Sequence, residues 1–424
     1  MTAPSPAEDS LEPVELIRQS GVVLRIGQLM LSAGTGSYRV KSAMNRVAHA
    51  VGLDRHRAHV TLTEITATSH RGPIFRTEVT EVRSISVNSD RLAELENLTR
   101  TLAPEVTVDE VAAELDRIEH KPPLYPPLLN ALWGAIACGA FAFLNNGGPV
   151  EVLGAFVGAG VGQYVRRFLA QRRLNQFGVA MIAAAVASLA YLGFVVALEA
   201  LGVVGPRHEI GYVSAVLFLI PGFPLMTAAL DLAKLDFSAG VARLTYALMI
   251  LTSAALSLWA VSAVAGLSPD LSPPVALAPT ALVALRLAAS FVGVLGFALL
   301  FNSPARMALT AASIGMIANV VRIQLVEIGA APQAGAAAGA LLVGLLAAWW
   351  APRVGVPRIT VSVPAVVIMV PGAAAYRAVF HLNNGDTTQA LAFGFQAALV
   401  IVAIAIGLAV ARMLTDKAWA FERW

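Results

Sequence analysis

Cysteine is almost missing from this sequence. Cys138 is the single cysteine among 424 residues, and it lies inside an apolar run. A disulfide framework within the chain and a cysteine-based metal site are therefore both excluded. Charge is scarce as well, because 13% of the residues are charged and 57% are hydrophobic, whereas a soluble domain carries about 25% charged residues. With a mean hydropathy of +0.69, the composition predicts a membrane protein.

The common catalytic signatures are also missing. The sequence contains no HExxH, GxSxG or glycine-rich ATP-binding motif. The stretch GTGSYRVKS resembles a phosphate-binding loop, but Val40 stands where that loop needs a glycine before Lys-Ser, so we favour a turn between two helices. His56 and His59 are close to Glu64 in sequence, but a metal site needs a third ligand at a defined geometry, which the sequence does not supply. We therefore interpret the two histidines as solvated. We predict no enzyme, no catalytic residue, no metal, no cofactor and no nucleic-acid partner.

Charge and pattern separate a soluble head from a membrane body. Residues 1–120 hold 13 Lys/Arg and 17 Asp/Glu, against 17 and 10 in the rest. Helical periodicity, interrupted by two alternating segments at 59–69 and 74–87, predicts a small α+β domain over 1–127 with one β-hairpin. Asn88 and Thr107 are residues typical of helix starts, so the segments 88–102 and 107–120 are predicted to be helices that begin there. The start of the chain has no basic region followed by an apolar one, so we expect no signal peptide and a cytoplasmic head.

The body contains about ten apolar runs of the length that a membrane helix needs, which is about 20 residues. The predicted spans are 128–144, 150–168, 178–203, 210–231, 242–266, 276–300, 306–326, 331–350, 359–381 and 389–412. If the head is cytoplasmic, the inner loops carry twelve Lys/Arg and the outer side about three. This bias predicts that both termini are cytoplasmic in a multi-pass protein of a bacterial inner membrane.

A long-range repeat relates the two halves of the body. Pro221-Gly222 interrupts the fourth span, and Pro371-Gly372 interrupts the ninth span 150 residues later. Asp236 and Asp386 are separated by the same distance. Five spans in each half make the second half inverted, which predicts two five-helix repeats at 128–267 and 268–424. Inverted repeats with broken helices are typical of secondary transporters.

A broken helix offers free backbone N–H groups and a positive dipole end to a substrate carboxylate. The predicted substrate-binding residues are Pro221, Gly222, Pro224, Pro371, Gly372, Tyr376, Arg286, Asn319 and Arg322. The predicted residues for proton coupling or gating are Asp231, Asp236 and Asp386, with Asp231 first for coupling.

Simpler interpretations of these residues stay open. Each Pro-Gly could be a kink used only for packing, and Asp236 and Asp386 could be solvated loop acids. Arg286 could extend toward the membrane surface, and Arg322 could pair with Glu327 at an interface.

Three segments resemble one known family. They are SAGTGSYRVKSAMNRVAHAVGL in the head, and PGFPLMTAALDLAKLDFSAGVARLTYAL and PAVVIMVPGAAAYRAV in the body. The chain resembles the threonine/serine exporter family over nearly its whole length. The resemblance implies a cytoplasmic N-terminal domain, ten spans in two halves, and export of threonine and serine driven by the proton motive force. It carries over no site residues, and a two-subunit relative is associated with succinate export.

Together these observations predict a secondary exporter of small hydroxy amino acids in exchange for protons. Its partners are threonine or serine, protons and the lipid bilayer, and self-association into a homo-oligomer stays open. The alternatives are a dicarboxylate exporter of the succinate type, which Arg286 and Arg322 could serve, and a membrane sensor that binds solute without moving it.

Overall fold

The computed structural model describes residues 14–82, 86–103, 106–205, 211–267 and 277–421. The chain forms two compact units. The first contains Met1–Pro122 and Leu230–Arg243, and the second contains Pro123–Ala229 and Leu244–Trp424. The prediction that the chain has no signal peptide concerns its first residues, which lie outside the described ranges. The predicted boundary between the two membrane halves, after residue 267, also lies at a segment outside these ranges.

The first unit combines four helices with a small sheet. Its helices are α1 Val14–Ser32, α2 Ser37–Ala50, α3 Ser89–Thr101 and α4 Val108–His120, and its strands are β1 Arg55–Val60, β2 Glu64–Arg71 and β3 Ile74–Glu81. The sheet is antiparallel in the order β1-β2-β3. Helix α1 packs against the other three helices and against β2 and β3, and the core includes Leu16, Ile26, Met44 and Ile65.

Two predicted helix starts are confirmed by their caps. The Asn88 side chain accepts a hydrogen bond from the Arg91 N–H at the start of α3. Thr107 and Glu110 form a reciprocal capping box at the start of α4. These local bonds explain why both helices begin where the sequence predicts.

The sheet differs from the prediction. The segment 59–69 was predicted as one strand, but it divides into the end of β1 and most of β2. The division follows from a tight turn in which the Thr61 N–H donates to the Glu64 carbonyl at 2.9 Å and the Glu64 N–H donates to Thr61 Oγ1 at 3.1 Å. The hairpin between β2 and β3 is confirmed.

The prediction that His56 is solvated is wrong. His56 lies on β1, is partly buried, and has Nδ1 3.0 Å from Ser69 Oγ. Burial lowers the pKa of His56 to about 4, and the neighbouring His49 adds to that shift. Over the described ranges, no cluster of three His, Cys, Asp or Glu side chains could hold a metal ion.

The membrane body is helical throughout its described part. Its helices are α5 Pro127–Leu144, α6 Pro149–Gln171, α7 Gln176–Ala200, α8 Tyr212–Ala215, α9 Gly222–Ala233, α10 Phe237–Ala265, α11 Pro279–Leu300, α12 Ala305–Glu327, α13 Pro332–Val354, α14 Arg358–Val367, α15 Gly372–Asn383, α16 Thr387–Thr415 and α17 Lys417–Ala420. Every predicted span therefore falls on a helix or a pair of helices.

The helices identify a polytopic membrane protein. In the described residues, seven helices are long and apolar enough to cross a membrane, namely α5, α7, α10, α11, α12, α13 and α16. Two bent pairs raise this number to nine if each pair is one span. Helix α6, the second predicted span, has 23 residues but is not among them, since Glu151, Arg166 and Arg167 lower its hydropathy. A count of ten spans stays a prediction.

Small residues bring the helices of the second unit close together. A Cβ atom on Gly154 would lie 2.6 Å from the Tyr191 ring, and one on Gly158 would lie 2.6 Å from the Ala187 carbonyl oxygen. These glycines on α6 are four residues apart and allow close contact with α7. In the described contacts, α8 packs on α5, α6 and α7, and α14 packs in the same way on α11, α12 and α13.

Candidate transport site

Both predicted helix breaks are present. The first broken span runs from Tyr212 to Leu219 and resumes at Gly222 with a bend of 54°. The second runs from Arg358 to Val367 and resumes at Gly372 with a bend of 48°. Proline supplies no N–H to the preceding turn and displaces the carbonyl behind it, which explains why each helix stops and restarts there.

The two breaks pack against each other in a reciprocal way. A Cβ atom on Gly222 would lie 2.8 Å from Val367 Cγ2, and one on Gly372 would lie 3.0 Å from Leu217 Cδ2. Gly222 and Gly372 are one repeat length apart, as are Leu217 and Val367. Each glycine therefore admits the end of the opposite half-helix, so the broken spans meet.

An apolar cavity of about 240 Å³ lies beside the second break. It is lined by α8, α10, α15 and α16, and its lining includes Gly372, Ala375 and Tyr376. At the start of α15 the Gly372 N–H donates to the Val370 carbonyl at 2.9 Å and the Ala375 N–H donates to the Pro371 carbonyl at 3.0 Å. The first-turn donors without intrahelical partners are therefore the N–H groups of Ala373 and Ala374, next to the lining residues. Thr252 and Tyr376 are the lining side chains that carry a polar group.

A small polar network adjoins this cavity. The hydroxyl groups of Tyr212 and Tyr376 are 3.0 Å apart, and Tyr376 donates to Ser262 Oγ at 3.2 Å. All three side chains are buried. Buried hydroxyl groups are stable when they pair, and this network fixes the Tyr376 ring at the edge of the cavity. The first half-helix contributes Ile220 to the lining, whereas Pro221, Gly222 and Pro224 are not among the lining residues.

The polar residues on α11 and α12 form two separate contacts. Arg322 Nε donates to Asn319 Oδ1 at 2.9 Å, and the Asn319 side chain donates to Ser290 Oγ at 2.9 Å. Arg286 pairs with Glu327 at 2.6 Å. The predicted common face of Asn319 and Arg322 is confirmed, whereas the pairing of Arg322 with Glu327 is wrong, because Glu327 lies against Arg286 on the neighbouring helix.

Asp231 belongs to the first compact unit, where it meets the start of α2. Its Oδ1 accepts hydrogen bonds from the Ser37 N–H at 2.9 Å and from Ser37 Oγ at 3.1 Å. Arg243 Nε lies 3.4 Å from Asp231 Oδ2, and both side chains are almost fully buried. The carboxylate therefore occupies the positive end of α2 and faces a guanidinium group.

Asp236 extends the same cluster. Ser37 Oγ donates to Asp236 Oδ2 at 2.7 Å, and Lys41 forms an ion pair with Asp236. Arg243 also donates to the Thr35 carbonyl at 3.1 Å. The predicted turn GTGSYRVKS between α1 and α2 is confirmed, but its role as a binding point for two carboxylates was missed. The sequence signal for this role was the Gly36-Ser37 start of α2, because the free N–H groups at a helix N-terminus bind anions.

The third predicted gating residue has a more local environment. Asp386 Oδ1 caps α16 by accepting from the Gln389 N–H at 3.1 Å. His381 Nδ1 lies 3.7 Å from Asp386 Oδ2. His381 and Asp386 are the repeat counterparts of Asp231 and Asp236, so an acidic residue follows each half-helix at the same distance.

Comparison with known proteins assigns the family. A family model described as "Putative threonine/serine exporter" matches residues 21–265, and one described as "Threonine/Serine exporter, ThrE" matches residues 286–414. The chain belongs to the threonine/serine exporter family. The two matches lie on either side of the junction between the predicted halves.

Individual relatives cover different shares of this threonine/serine exporter family member. A "Threonine/serine exporter" of Corynebacterium glutamicum is 26% identical over 97% of this chain and 86% of its own length. A "Probable succinate transporter subunit YjjP" of Escherichia coli is 27% identical over 56% of this chain and 93% of its own length. No solved structure matches the chain.

Proposed function

We propose that this protein is a secondary exporter of threonine and serine that exchanges them for protons. The observation that carries the proposal is the reciprocal packing of the two broken spans, in a chain of the threonine/serine exporter family. Broken helices that meet at a repeat interface form the substrate sites of many secondary transporters.

The start of α15 supplies the carboxylate site in this proposal. Gly372 and Tyr376 line the cavity of about 240 Å³, which is smaller than the roughly 300–1,000 Å³ of sites for drug-sized ligands. The carboxylate binds the N–H groups of Ala373 and Ala374 in the first turn of α15. The substrate hydroxyl joins the hydroxyl network of Tyr376, Tyr212 and Ser262. Pro221, Gly222 and Pro224 form the equivalent half-site that serves the opposite-facing state.

The contacts on α11 and α12 favour a monocarboxylate over a dicarboxylate. Arg286 is neutralised by Glu327, whereas Arg322 makes no ion pair in the described residues and contacts Asn319 instead. One unpaired guanidinium group on this side fits one carboxylate. The E. coli relative named for succinate matches 56% of the chain, whereas the C. glutamicum exporter matches 97%, so dicarboxylate export is the second candidate.

Asp231 couples transport to protons in this proposal. As a carboxylate it is held by Ser37 and Arg243, and protonation removes the charge on which both contacts depend. Proton binding therefore releases the cluster, and proton loss forms it again. Asp236 serves as the inner gate and Asp386 as the outer gate.

The proposed topology places both termini in the cytoplasm of a bacterial inner membrane. The ten helices or helix pairs cross the bilayer as two inverted five-span repeats, 128–267 and 268–424, after a cytoplasmic domain over 1–127. The matching packing of α8 and α14 within their halves and the excess of Lys/Arg in the inner loops support this arrangement.

Counterflow in liposomes tests the substrate and the transport itself. Liposomes that contain the purified protein are loaded with unlabelled threonine, serine or succinate and diluted into a trace of the same labelled solute. We expect labelled threonine and serine to accumulate transiently, since a carrier exchanges them without any gradient of protons. Accumulation of succinate alone changes the substrate, and binding without accumulation of any solute favours a sensor.

A further inference from the structure

A buried amide and an arginine form a defined pair on α6. Gln163 donates from its side chain to Asn130 Oδ1 on α5 at 2.7 Å. Arg166 Nη1 donates to Gln163 Oε1 at 3.4 Å. Gln163 is 3% exposed, so the pair connects the interface between α5 and α6 to a guanidinium group one turn further along.

The pair on α12 has the same construction. Asn319 donates to Ser290 on α11 and accepts from Arg322, and Asn319 is fully buried. Helices α6 and α12 are both 23 residues long. Counted from the first residue of each helix, Gln163 and Asn319 occupy the same position, as do Arg166 and Arg322. The two halves of the molecule therefore carry the same amide–arginine pair.

Helix packing explains the amides but not the arginines. A polar side chain that bonds to a neighbouring helix stabilises the contact without any charge. An arginine within a membrane helix is unfavourable and usually faces a cavity or a partner. Arg286 and Arg243 each have a carboxylate partner. No ion pair to Arg166 or Arg322 occurs in the described part of the chain, so both guanidinium groups retain donors for an anion.

We propose that the Gln163–Arg166 pair is a second carboxylate-binding position for the exported solute, equivalent to the Asn319–Arg322 pair. The inference rests on the proposed function, because it needs a carboxylate-bearing solute and inverted halves. Inversion places Arg166 toward the cytoplasmic end of α6 and Arg322 toward the outer end of α12. The solute carboxylate binds Arg166 on entry and Arg322 on exit, and each amide holds its arginine in position.

The test measures the KM for labelled threonine separately at the two membrane faces. Inside-out membrane vesicles present the cytoplasmic face, and right-side-out vesicles present the outer face. Arg166→Gln should raise the KM in inside-out vesicles about tenfold, since a hydrogen bond to a charged group is lost, and leave the outer KM unchanged. Arg322→Gln should give the reverse, and Arg166→Lys and Arg322→Lys should recover most of the affinity.

Two further variants do not depend on removal of an arginine. Gln163→Glu and Asn319→Asp are close in shape to the native residues and place a carboxylate against the neighbouring arginine. Each should compete with the solute and raise the KM at the same face as the corresponding glutamine variant. Serine amide, which lacks the carboxylate, should compete poorly with threonine for wild-type protein.

The outcomes separate this inference from the proposed function. If wild-type vesicles carry threonine but the variants change the KM at neither face, or equally at both faces, the pairs are only packing contacts and the inference fails. If wild-type vesicles carry succinate instead, the proposed substrate fails, and the same variants are measured with succinate. A change in the KM for succinate at one membrane face then supports the pairs, whereas no change or an equal change at both faces rejects them. If none of these solutes is carried, both proposals fail.

Discussion

At the scale of single residues, Gly36 controls the fit between α2 and Asp231. A Cβ atom on Gly36 would lie 2.7 Å from Asp231 Oδ1, which is closer than van der Waals contact allows. We predict that Gly36→Ala displaces the carboxylate from the Ser37 N–H and destabilises the protein by about 1.5–3 kcal/mol, the range for a hydrogen bond to a charged group. Thermal unfolding of the full-length protein in detergent measures the change.

Gly21→Ala is the matched control for that variant. Gly21 lies within α1, and a Cβ atom there meets no atom within 4 Å. Alanine is favoured over glycine in a helix by about 1 kcal/mol, so this variant should keep or raise the unfolding temperature. Equal stability of the Gly36→Ala and wild-type proteins would contradict the observed contact.

His56 makes the first unit sensitive to acid. Its folded-state pKa is about 4, whereas an unfolded histidine has a pKa of about 6.5. Between these values the unfolded chain binds more protons, so the free energy of unfolding decreases as pH falls from about 6.5 toward about 4. His56→Gln should lose less stability over this range than wild type in denaturation followed at several pH values. Parallel pH profiles for the two proteins would show that His56 does not contribute.

The sequence predicts residue contacts along a helix better than contacts between distant segments. Asn319 and Arg322 are three residues apart, so helical geometry alone predicts their contact. The partner of Arg286 depends on how α11 packs on α12, which spacing does not specify. The contact of Ser37 with Asp231 joins residues that are distant in sequence, and no local pattern indicates it.

At the scale of elements, the close approach of the two broken spans depends on Gly222 and Gly372. We predict that Gly222→Ala and Gly372→Ala both slow threonine counterflow, because a Cβ atom separates the half-helices. Gly222→Ala should have the larger effect, since Val367 is β-branched and has little freedom to move. A Cβ on Gly372 first meets the flexible end of Ile220.

Gly193→Ala provides the control for the element-scale variants. Gly193 lies on α7, and a Cβ atom there has open space around it. This variant should carry threonine at the wild-type rate. If Gly193→Ala and Gly222→Ala behave alike, the meeting of the breaks does not matter for transport.

Element boundaries follow the sequence where local chemistry determines them. Asn88, Thr107 and the two Pro-Gly pairs determine helix starts through caps and missing donors, and all four are confirmed. The turn at Thr61 was not predicted, because a side-chain bond interrupts a segment whose alternation is continuous. Helix α6 is present as predicted. Its charged residues keep it out of the set of helices apolar enough to span a membrane, so its crossing of the membrane belongs to the proposed topology.

At the scale of the whole molecule, the proposed transport cycle uses a carboxylate site at the broken spans and a charge cluster around Asp231. The membrane body and the family predicted from the sequence are confirmed, and the inverted repeat stays a prediction. The sequence did not predict that residues 230–243 pack in one compact unit with residues 1–122, because that arrangement depends on the tertiary contacts of Ser37, Lys41 and Arg243. This unit gives the proposed coupling residue its partners.

The most direct measurement of the central claim is threonine flux in liposomes under an imposed pH gradient. We predict flux for wild-type protein that stops when a proton ionophore collapses the gradient. We also predict that Asp231→Asn, alone or with Arg243→Gln to avoid an unpaired buried charge, retains counterflow but loses the gradient-driven flux. Gradient-driven flux that is unchanged in both Asp231 variants, or wild-type counterflow that no pH gradient drives, would contradict the account.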